Sequence, residues 1–321
     1  LVGSEMCIRD RDALVREQPD EEALRSIFEE LEFRTLIDRV LKKETSAPLP
    51  LFPEKSEGIQ GDLFANFTGN EPSEAKKSNL ETLESLCCDY QLIDTEEKRK
   101  EIIQKLLTSK ILSLDTETTG TEPMDAELVG MSFSIAENEA FYVPVPANQE
   151  EALKIVNEFR PVFENESSLK VGQNIKYDMI VLQNYGVEVK GPLFDTMIAH
   201  YVLQPELRHG MDYLAEIYLH YQTIHIDELI GPKGKNQKNM RDLAPKDVYR
   251  YACEDADVTL KLKNVLEKEL KENGAERLFY DIEMPLVPVL VNIERNGVLL
   301  DTEALKQSSA HFKEQMERIE K

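Results

Sequence analysis

The apolar positions of this chain follow two periods from Leu80 onward, one typical of strands and one typical of helices. Short apolar runs alternate with stretches whose apolar residues recur every three or four positions. The pattern predicts strands at 90–93, 111–114, 128–135, 140–145, 169–173 and 191–195. It predicts helices at 95–107, 150–164, 175–185 and 196–203, and a long helix that begins at Pro245. This alternation is typical of an α/β sheet covered by helices.

The first 79 residues do not share this pattern. Residues 1–11 have neither an initiator Met nor the features of a signal peptide, and we expect them not to be native to the protein. Residues 19–41 have the apolar spacing of two short amphipathic helices. Residues 44–79 show no sustained period, and Pro, Gly and Ser supply 11 of these 36 positions. We therefore expect a flexible, disordered linker there, with ordered structure resuming near Leu80.

The composition narrows the classes of function. Acidic residues outnumber basic ones 61 to 38, and the formal charge is −23. This excess argues against a generally basic nucleic-acid coat, but it is compatible with a nuclease that concentrates carboxylates around metal ions. No apolar run is long enough to span a bilayer. The four cysteines form no CxxC pair, which indicates a reducing, intracellular and cytoplasmic setting.

Two acids interrupt the apolar pattern at the end of the strand that starts at Ile111. Asp115 and Glu117 are two residues apart, so both side chains point to the same face of a strand. Like charges at such a distance repel each other unless a cation or a proton lies between them. Taken alone, the pair is better explained as a polar strand end that turns into residues 118–120.

A third acid, Asp178, falls on the apolar face of a predicted helix. If Asn174 caps this helix, the inward stripe consists of Asp178 together with three apolar residues, Ile175, Met179 and Leu182. A buried carboxylate needs a partner or a raised pKa. Lys176 is the local candidate for a salt bridge, but it lies on another face of the helix.

The long helix after Pro245 carries a tyrosine and a fourth acid, one turn apart. Tyr251 and Asp255 lie on one face, whereas Glu254 and Asp257 face elsewhere and are expected to be solvated. Taken alone, Tyr251 is better explained as a core aromatic residue with a hydrogen-bonded hydroxyl. Four acids and one tyrosine that point inward together, however, would form an oxygen-rich pocket that suits hard divalent cations such as Mg²⁺ or Mn²⁺.

Three short motifs of this chain resemble those of the DEDD exonucleases, in the subclass with tyrosine in the last motif. They are Asp115-x-Glu117, Asn174-x2-Tyr177-Asp178 and Tyr251-x3-Asp255. The sequences at 171–178, 211–216, 234–237 and 251–260 resemble the proofreading domain of the bacterial family A polymerases, the DNA polymerase I family. The resemblance covers residues 80 to 276. It implies a ribonuclease-H-like mixed sheet flanked by helices.

The resemblance also implies roles for individual residues. Asp115, Glu117 and Asp255 are expected to hold one metal ion, Mg²⁺ or Mn²⁺, and Asp115 would share a second ion with Asp178. Tyr251, with Glu117, would orient the attacking water. Two further positions, Gln173 and Asn174, match residues that contact the terminal nucleotides. The family often has a leucine six residues after the first aspartate, wedged against the terminal base, and this chain has Thr121 at that position.

The implied reaction is hydrolysis of the terminal 3′ phosphodiester of single-stranded or frayed DNA, with release of 5′-mononucleotides, in replication and repair. The family resemblance leaves two alternatives. One is a ribonuclease of the same superfamily, which the polymerase-like flanks oppose. The other is a catalytically inactive DNA-binding or spacer module, which the presence of all four acids opposes.

The flanks give the expected domain division. Residues 17–43 resemble the end of a 5′-nuclease region, and residues 283–298 resemble the start of a polymerase domain. We therefore expect four parts: a non-native start with the nuclease tail at 1–43, the linker at 44–79, the exonuclease domain at 80–276, and the helical beginning of a polymerase thumb at 277–321. The chain stops before the polymerase palm motifs, so this fragment is not expected to synthesise DNA, and its parent is.

A basic segment precedes the tyrosine motif. Residues 231–250 carry six basic and two acidic residues, and we expect phosphate contacts from Lys233, Lys235, Lys238 and Arg241. A solvated loop is the alternative. We assign no role to the five histidines, which have no ligand spacing, and expect Cys253 to be a small core residue.

A short apolar motif stands within the polar linker. Gln60-Gly-Asp-Leu63-Phe64 resembles the QxxLF-type motif by which bacterial replication proteins hold the sliding clamp. Leu63 and Phe64 would fill a pocket on the clamp, and Gln60 would hydrogen-bond at its rim. The alternative is a chance match, because short motifs are common by accident.

Overall fold

A mixed sheet forms the centre of the computed structural model, which describes residues 80–232, 234 and 237–320. In chain order its strands are β1 (Asp89–Leu92), β2 (Ile111–Thr118), β3 (Leu128–Ala136), β4 (Glu139–Pro144), β5 (Leu169–Gly172) and β6 (Leu193–Asp195). They lie in the order β1-β4-β3-β2-β5-β6. The β2, β3 and β4 strands pair antiparallel, while β1 joins β4, and β5 and β6 extend β2, in parallel. The predicted α/β sheet is confirmed.

Helices cover both faces of this sheet, so the inner strands are buried on both sides. In chain order the α-helices of four or more residues are α1 (Glu96–Thr108), α2 (Gln149–Glu158), α3 (Arg160–Phe163), α4 (Ile175–Asn184), α5 (Thr196–Leu203), α6 (Met211–Leu219), α7 (Ile226–Ile230), α8 (Pro245–Glu272), α9 (Met284–Asn296) and α10 (Thr302–Glu320). The last of them, α10, buries no residue and is not part of this cover. The single helix predicted at 150–164 is two helices, because Pro161 has no backbone N–H to continue α2.

The long helix α8 connects the sheet to its helical cover. It begins with Pro245 at its first turn, as predicted, and packs against β2, β3 and β4 as well as against α5 and α6. On another part of the core, Phe133 of β3 stacks on Phe159 with ring centroids 5.4 Å apart. The position of α8 against β2 brings two of the sequence motifs together.

The segment after residue 276 shares the hydrophobic core of the sheet. The Phe279 ring packs against Phe194 with centroids 4.8 Å apart, and α9 buries three apolar side chains in the same cluster, those of Met284, Val287 and Val291. The α9 helix also lies against α4, where Arg295 donates a 2.8 Å hydrogen bond to Asn184. The helix that carries Asp178 is therefore held from its outer side.

Two further predictions concern other parts of the chain. The linker at 44–79 and its clamp-like motif lie outside the described residues. Within the ranges that the structure covers, no helix has both the length and the apolar character of a membrane span.

Candidate active site

Three carboxylates from two elements converge at the point where β2 separates from β5. The ladder between β2 and β5 ends at Ser113, and β2 continues beyond it with Asp115 and Glu117 on one face. The third carboxylate comes from Asp255 on α8. One oxygen atom from each of the three groups lies within 4.8 Å of the others. The structure therefore brings the first and third sequence motifs into one site.

The fourth predicted acid, Asp178, lies beside this trio in the first turn of α4 and is 2% exposed. Its carboxylate accepts a 2.6 Å hydrogen bond from the hydroxyl of Thr116 on β2. Lys176 forms its ion pair with Glu294 of α9 instead. The hydroxyl of Thr116 is thus the partner that sequence reasoning did not find, because a strand residue 62 positions away gives no local signal.

Burial raises the pKa of every acid in this site, and repulsion adds to the effect for three of the four. Burial raises the pKa of Asp115 to about 6. It also raises the pKa of Glu117, Asp178 and Asp255 well above the ordinary range, and the charge of Asp115 adds to the effect on each of them. The four groups thus interact electrostatically as one cluster, which is unfavourable when all are ionised.

The donor atoms of this cluster fit a hard divalent cation. The Oε1 atom of Glu117 is buried and has no hydrogen-bond partner among the described residues, so one strong acceptor is left over. The three converging ligand groups are carboxylates, without histidine or cysteine. Such an oxygen-only set suits Mg²⁺ or Mn²⁺ better than zinc.

Tyr251 lies one turn before Asp255 on α8, close to the acids. Burial raises the pKa of its hydroxyl, and the negative charges of Asp255, Glu117 and Asp115 raise it further. The phenol therefore stays protonated and serves as a hydrogen-bond donor. The structure places it with the four acids, and its role in the site stays a prediction.

Asn174 occupies the N-cap position of α4, as the sequence analysis assumed, but its side chain does not supply the cap. Asn174 adopts a left-handed conformation (φ 63°, ψ 47°), and its side chain makes no capping hydrogen bond. The backbone N–H groups of Asn174 and Ile175 donate instead to the buried carboxylate of Asp195, at 3.3 and 2.7 Å. Asp195 comes from the end of β6, the strand paired with β5, so the cap comes from a neighbouring strand and has no signal in the local spacing of α4.

The neighbouring Gln173 uses its amide within the protein. Its Nε2 donates to the backbone oxygen of His209 at 2.7 Å, and its Oε1 accepts from the hydroxyl of Thr196. Gln173 therefore ties the end of β5 to α5 and to the loop before α6. Its predicted contact with the terminal nucleotides stays a prediction.

The prediction that Glu254 and Asp257 are solvated is also wrong, since both are fully buried. Glu254 accepts from the Tyr221 hydroxyl at 2.5 Å and from a backbone N–H at 2.7 Å. Asp257 accepts from the Tyr90 hydroxyl and from Lys261, each at 2.8 Å. A helix with apolar residues on several faces is buried on all sides. The sequence of α8 contains this indication of burial in four buried residues, Ala252, Cys253, Ala256 and Val258.

The basic segment is described only in part. Lys233 and Lys235 lie outside the described residues, and Lys238 is exposed. Arg241 directs its guanidinium at backbone oxygens, with Nη1 2.5 Å from Val145 O and Nη2 2.6 Å from Leu128 O. This residue therefore ties the segment to the sheet, and the predicted phosphate contacts stay predictions.

The remaining predictions concern a loop, the histidines and a cysteine. Thr121 is exposed in the loop after β2, whose Thr119 carbonyl accepts a 2.7 Å hydrogen bond from Asn239. His200 is buried with its Nδ1 only 2.7 Å from Nδ1 of His209, so these two histidines pair with each other. Cys253 is fully buried in a hydrophobic cluster, as predicted.

This chain is similar in sequence to an exonuclease family and to bacterial DNA polymerases. A model of the 3′-5′ exonuclease family matches residues 90–271. DNA polymerase I of Pseudomonas aeruginosa is 34% identical over 320 residues, which cover 97% of this chain and 32% of that protein. DNA polymerase I of Borreliella burgdorferi is 32% identical over 302 residues, which cover 93% of this chain and 32% of that protein. The chain thus spans about a third of the length of these relatives.

Solved structures with the same fold are more distant in sequence. A complex of Pol1 from M. smegmatis superposes with a TM-score of 0.57 at 18% identity, over 71% of this chain and 36% of that one. Escherichia coli RNase D gives a TM-score of 0.52 at 18% identity, over 66% of this chain and 52% of that one. The predicted ribonuclease-H-like fold is confirmed by these neighbours. With the family model matching more than half of its length, the chain belongs to the 3′-5′ exonuclease family of DNA polymerase A and is a nuclease.

Proposed function

We propose that this chain is the proofreading exonuclease of a DNA polymerase I. It removes the terminal nucleotide from the 3′ end of single-stranded or frayed DNA and releases 5′-mononucleotides. The observation that carries the proposal is the convergence of the Asp115, Glu117 and Asp255 carboxylates within 4.8 Å, with Asp178 and Tyr251 beside them. Such a cluster would be costly to bury for structural purposes alone.

The four acids are the proposed ligands of two divalent cations, Mg²⁺ or Mn²⁺. Asp115, Glu117 and Asp255 would hold one ion, and Asp115 would share the other with Asp178. Two such ions supply an activated water and stabilise the leaving oxygen of a phosphodiester. Support comes from the left-over acceptor on Glu117 and from a structural neighbour, Brucella melitensis NrnC, which was solved with bound Mg²⁺ and has a TM-score of 0.51.

Tyr251 and Glu117 are the proposed pair that orients the attacking water. Tyr251 keeps its proton at Oη because burial and the neighbouring negative charges raise its pKa, so it donates. Glu117 has the buried Oε1 atom with no partner among the described residues, so it accepts. A donor and an acceptor on opposite sides of a water molecule fix the direction of its lone pair.

The DNA end is proposed to lie over the start of α4. Asn174 is the better-placed contact of the predicted pair, because its side chain makes no hydrogen bond among the described residues, whereas the Gln173 amide is engaged. Four basic residues would contact the phosphates further along the strand, Lys233, Lys235, Lys238 and Arg241. Of these, Lys238 is exposed, whereas both Nη atoms of Arg241 already donate to backbone oxygens, so Arg241 would act on a phosphate mainly through its charge.

A ribonuclease is the second candidate function. One structural neighbour, Escherichia coli RNase D, is described as an exoribonuclease involved in structured RNA processing, and its fold superposes at a TM-score of 0.52. Another, Brucella melitensis NrnC, was solved bound to pGG. The same carboxylate site serves either nucleic acid, because its chemistry is directed at the phosphodiester.

The test is a comparison of matched DNA and RNA oligonucleotides of one sequence, labelled so that released mononucleotides are counted. The chain is expected to degrade the DNA from its 3′ end in Mg²⁺ and not in EDTA, and Asp115→Ala is expected to be inactive. Faster degradation of RNA would favour the ribonuclease. Binding of DNA without hydrolysis in either Mg²⁺ or Mn²⁺ would indicate the inactive module.

The context of the parent protein is part of the same proposal. The four-part division at 1–43, 44–79, 80–276 and 277–321 places the exonuclease between the end of a 5′-nuclease region and the start of a polymerase domain. A role in replication and repair near the nucleoid follows from a DNA substrate.

The sliding clamp is proposed to bind three residues of the linker, Gln60, Leu63 and Phe64. A peptide of residues 59–67 should bind the clamp, and the same peptide with Leu63→Ala and Phe64→Ala should not.

A further inference from the structure

The end of β6 carries one carboxylate that caps two helices. Asp195 is 1% exposed and accepts a hydrogen bond from the backbone N–H of Ile198 at 3.0 Å, which caps α5. The same carboxylate accepts from Ile175 at 2.7 Å and from Asn174 at 3.3 Å, both at the start of α4. A single buried acid thus serves the N-terminal donors of both helices.

The start of α4 depends on this acid. Asn174, the residue in the N-cap position of α4, contributes no side-chain hydrogen bond. The first turn of a helix has N–H groups without partners in the helix, and they must be satisfied from outside. Asp178 lies within this first turn, three residues after Ile175, so any shift of the turn moves an active-site carboxylate.

The chain approaching α4 is packed too closely to compensate for a lost cap. A Cβ atom on Gly172 would lie 2.8 Å from the side chain of Ile175, so this segment has no room to move inward. Thr196, next to Asp195, donates to the Gly172 carbonyl at 3.2 Å. The two residues at the end of β6 therefore hold the segment 172–175 from one side.

We propose that Asp195 is a positioning residue of the exonuclease. It fixes the first turn of α4 and with it the place of Asp178, and it frees the amide of Asn174 for the DNA end because that amide is not needed as a cap. The inference rests on the proposed function. Asp195 acts through α4 and does not contact the substrate.

The experiment compares two lost caps in the 321-residue chain. Asp195→Ala removes the cap of α4 and α5, whereas Asn148→Ala removes the 3.0 Å cap of α2, a helix without site residues. Asp195→Asn keeps the size of the side chain and one carbonyl oxygen. Each protein is assayed for the release of nucleotides from a 3′-labelled single-stranded DNA. The measured quantities are kcat, KM and the Mg²⁺ concentration that gives half the maximal rate, at a temperature at which all variants are folded.

Displacement of a reacting group by about 1 Å lowers rates on the order of 100-fold, so Asp195→Ala is expected to lose about 10- to 100-fold in kcat and to need more Mg²⁺. Asp195→Asn should fall between this variant and the wild type, and Asn148→Ala should keep the wild-type kcat and Mg²⁺ requirement. If Asp195→Ala does not fold, the same ranking applies to Asp195→Asn against Asn148→Ala.

A second readout is independent of activity. Amide hydrogen exchange in residues 174–178 should accelerate in the Asp195 variants and not in Asn148→Ala. The positioning role alone would be overturned if kcat were equal in the wild type and in the folded variants Asp195→Asn and Asn148→Ala. It would also be overturned if amide exchange in residues 174–178 were unchanged in the Asp195 variants. An inactive wild-type chain would overturn the proposed function and, with it, this inference.

Discussion

Thr116 and Asp178 join the sheet to the helix opposite it through a buried hydrogen bond of 2.6 Å. The hydroxyl donates and the carboxylate accepts, which lowers the pKa of Asp178 against the effect of burial. The bond therefore keeps one acid of the cluster closer to its ionised form, which is the form that binds a cation.

Removing this hydroxyl should weaken cation binding. Thr116→Val keeps the shape of the side chain but leaves Asp178 without its donor, so the pKa of Asp178 should rise. We expect the activity to begin at higher pH and to require more Mg²⁺, as measured by pH–rate profiles at fixed DNA concentration. Thr108→Val, which removes an exposed hydroxyl at the end of α1, is the control and should leave the profile unchanged. An unshifted profile for Thr116→Val would contradict the assigned role.

The metal-free protein should be less stable at pH 7 than at pH 5 because of its site. The folded-state pKa of Asp115, about 6, is above the ordinary value of 3.8, so the folded state binds protons more tightly than the unfolded state. The corresponding stability is complete below the unfolded pKa and is lost as the pH rises through 6.

The substitution Asp115→Asn tests whether the Asp115 charge lowers the stability of the metal-free protein as the pH rises. In EDTA the substitution should raise the free energy of unfolding by about 1 to 3 kcal/mol more at pH 7 than at pH 5, because it removes a charge that the fold disfavours. Urea unfolding at the two pH values measures the difference. Mg²⁺ should then stabilise the wild type and leave the variant almost unchanged. The same gain at both pH values would show that the raised pKa of the buried Asp115 carboxyl is not the cause.

Loss of a proposed metal ligand should reduce hydrolysis more than loss of the Tyr251 hydroxyl. Asp178→Ala and Asp115→Ala remove proposed metal ligands and should abolish hydrolysis while the fold is kept. Tyr251→Phe removes one donor to water and leaves every carboxylate in place, so a loss of roughly 10- to 100-fold in kcat is expected. Single-turnover assays in Mg²⁺ separate the two cases. A Tyr251→Phe protein as inactive as Asp115→Ala would mean that the tyrosine has another role.

The buried acid next to the site residue Asp255 should matter for stability. Glu254→Ala leaves the Tyr221 hydroxyl and a backbone N–H without an acceptor in the interior, which should cost about 2 to 5 kcal/mol in the free energy of unfolding. Glu272→Ala, an exposed position at the end of the same helix, should change it by less than about 0.5 kcal/mol. Chemical denaturation of both variants provides the comparison. Equal stabilities would show that the Glu254 contacts contribute nothing.

The sequence predicts the elements well because each has a local pattern. The strand after Ile111 and the helix at 196–203 follow from apolar spacing alone, and the four acids stand out as charges within that spacing. What could not be predicted are partners that only the fold brings together. The hydroxyl that binds Asp178 and the carboxylate that caps α4 come from β2 and β6, and no spacing within α4 points to them.

The wrong expectation for Glu254 and Asp257 has a different cause. Their positions were assigned to the outer face of a helix on the assumption that one face is exposed to solvent. The α8 helix is instead covered on several sides over its central turns. Buried acids there are paired with a tyrosine hydroxyl each, from Tyr221 and Tyr90, which no helical period indicates.

The packing of α9 has a practical consequence for anyone who wishes to study this nuclease as an isolated piece. A protein ended at residue 276 would lose the apolar side chains that α9 places in the core, those of Met284, Val287 and Val291. Water would then reach the outer side of α4, and the uncovered surface would favour aggregation. A protein that ends after Asn296 keeps this cover, and it extends 25 residues beyond the family match, which ends at residue 271.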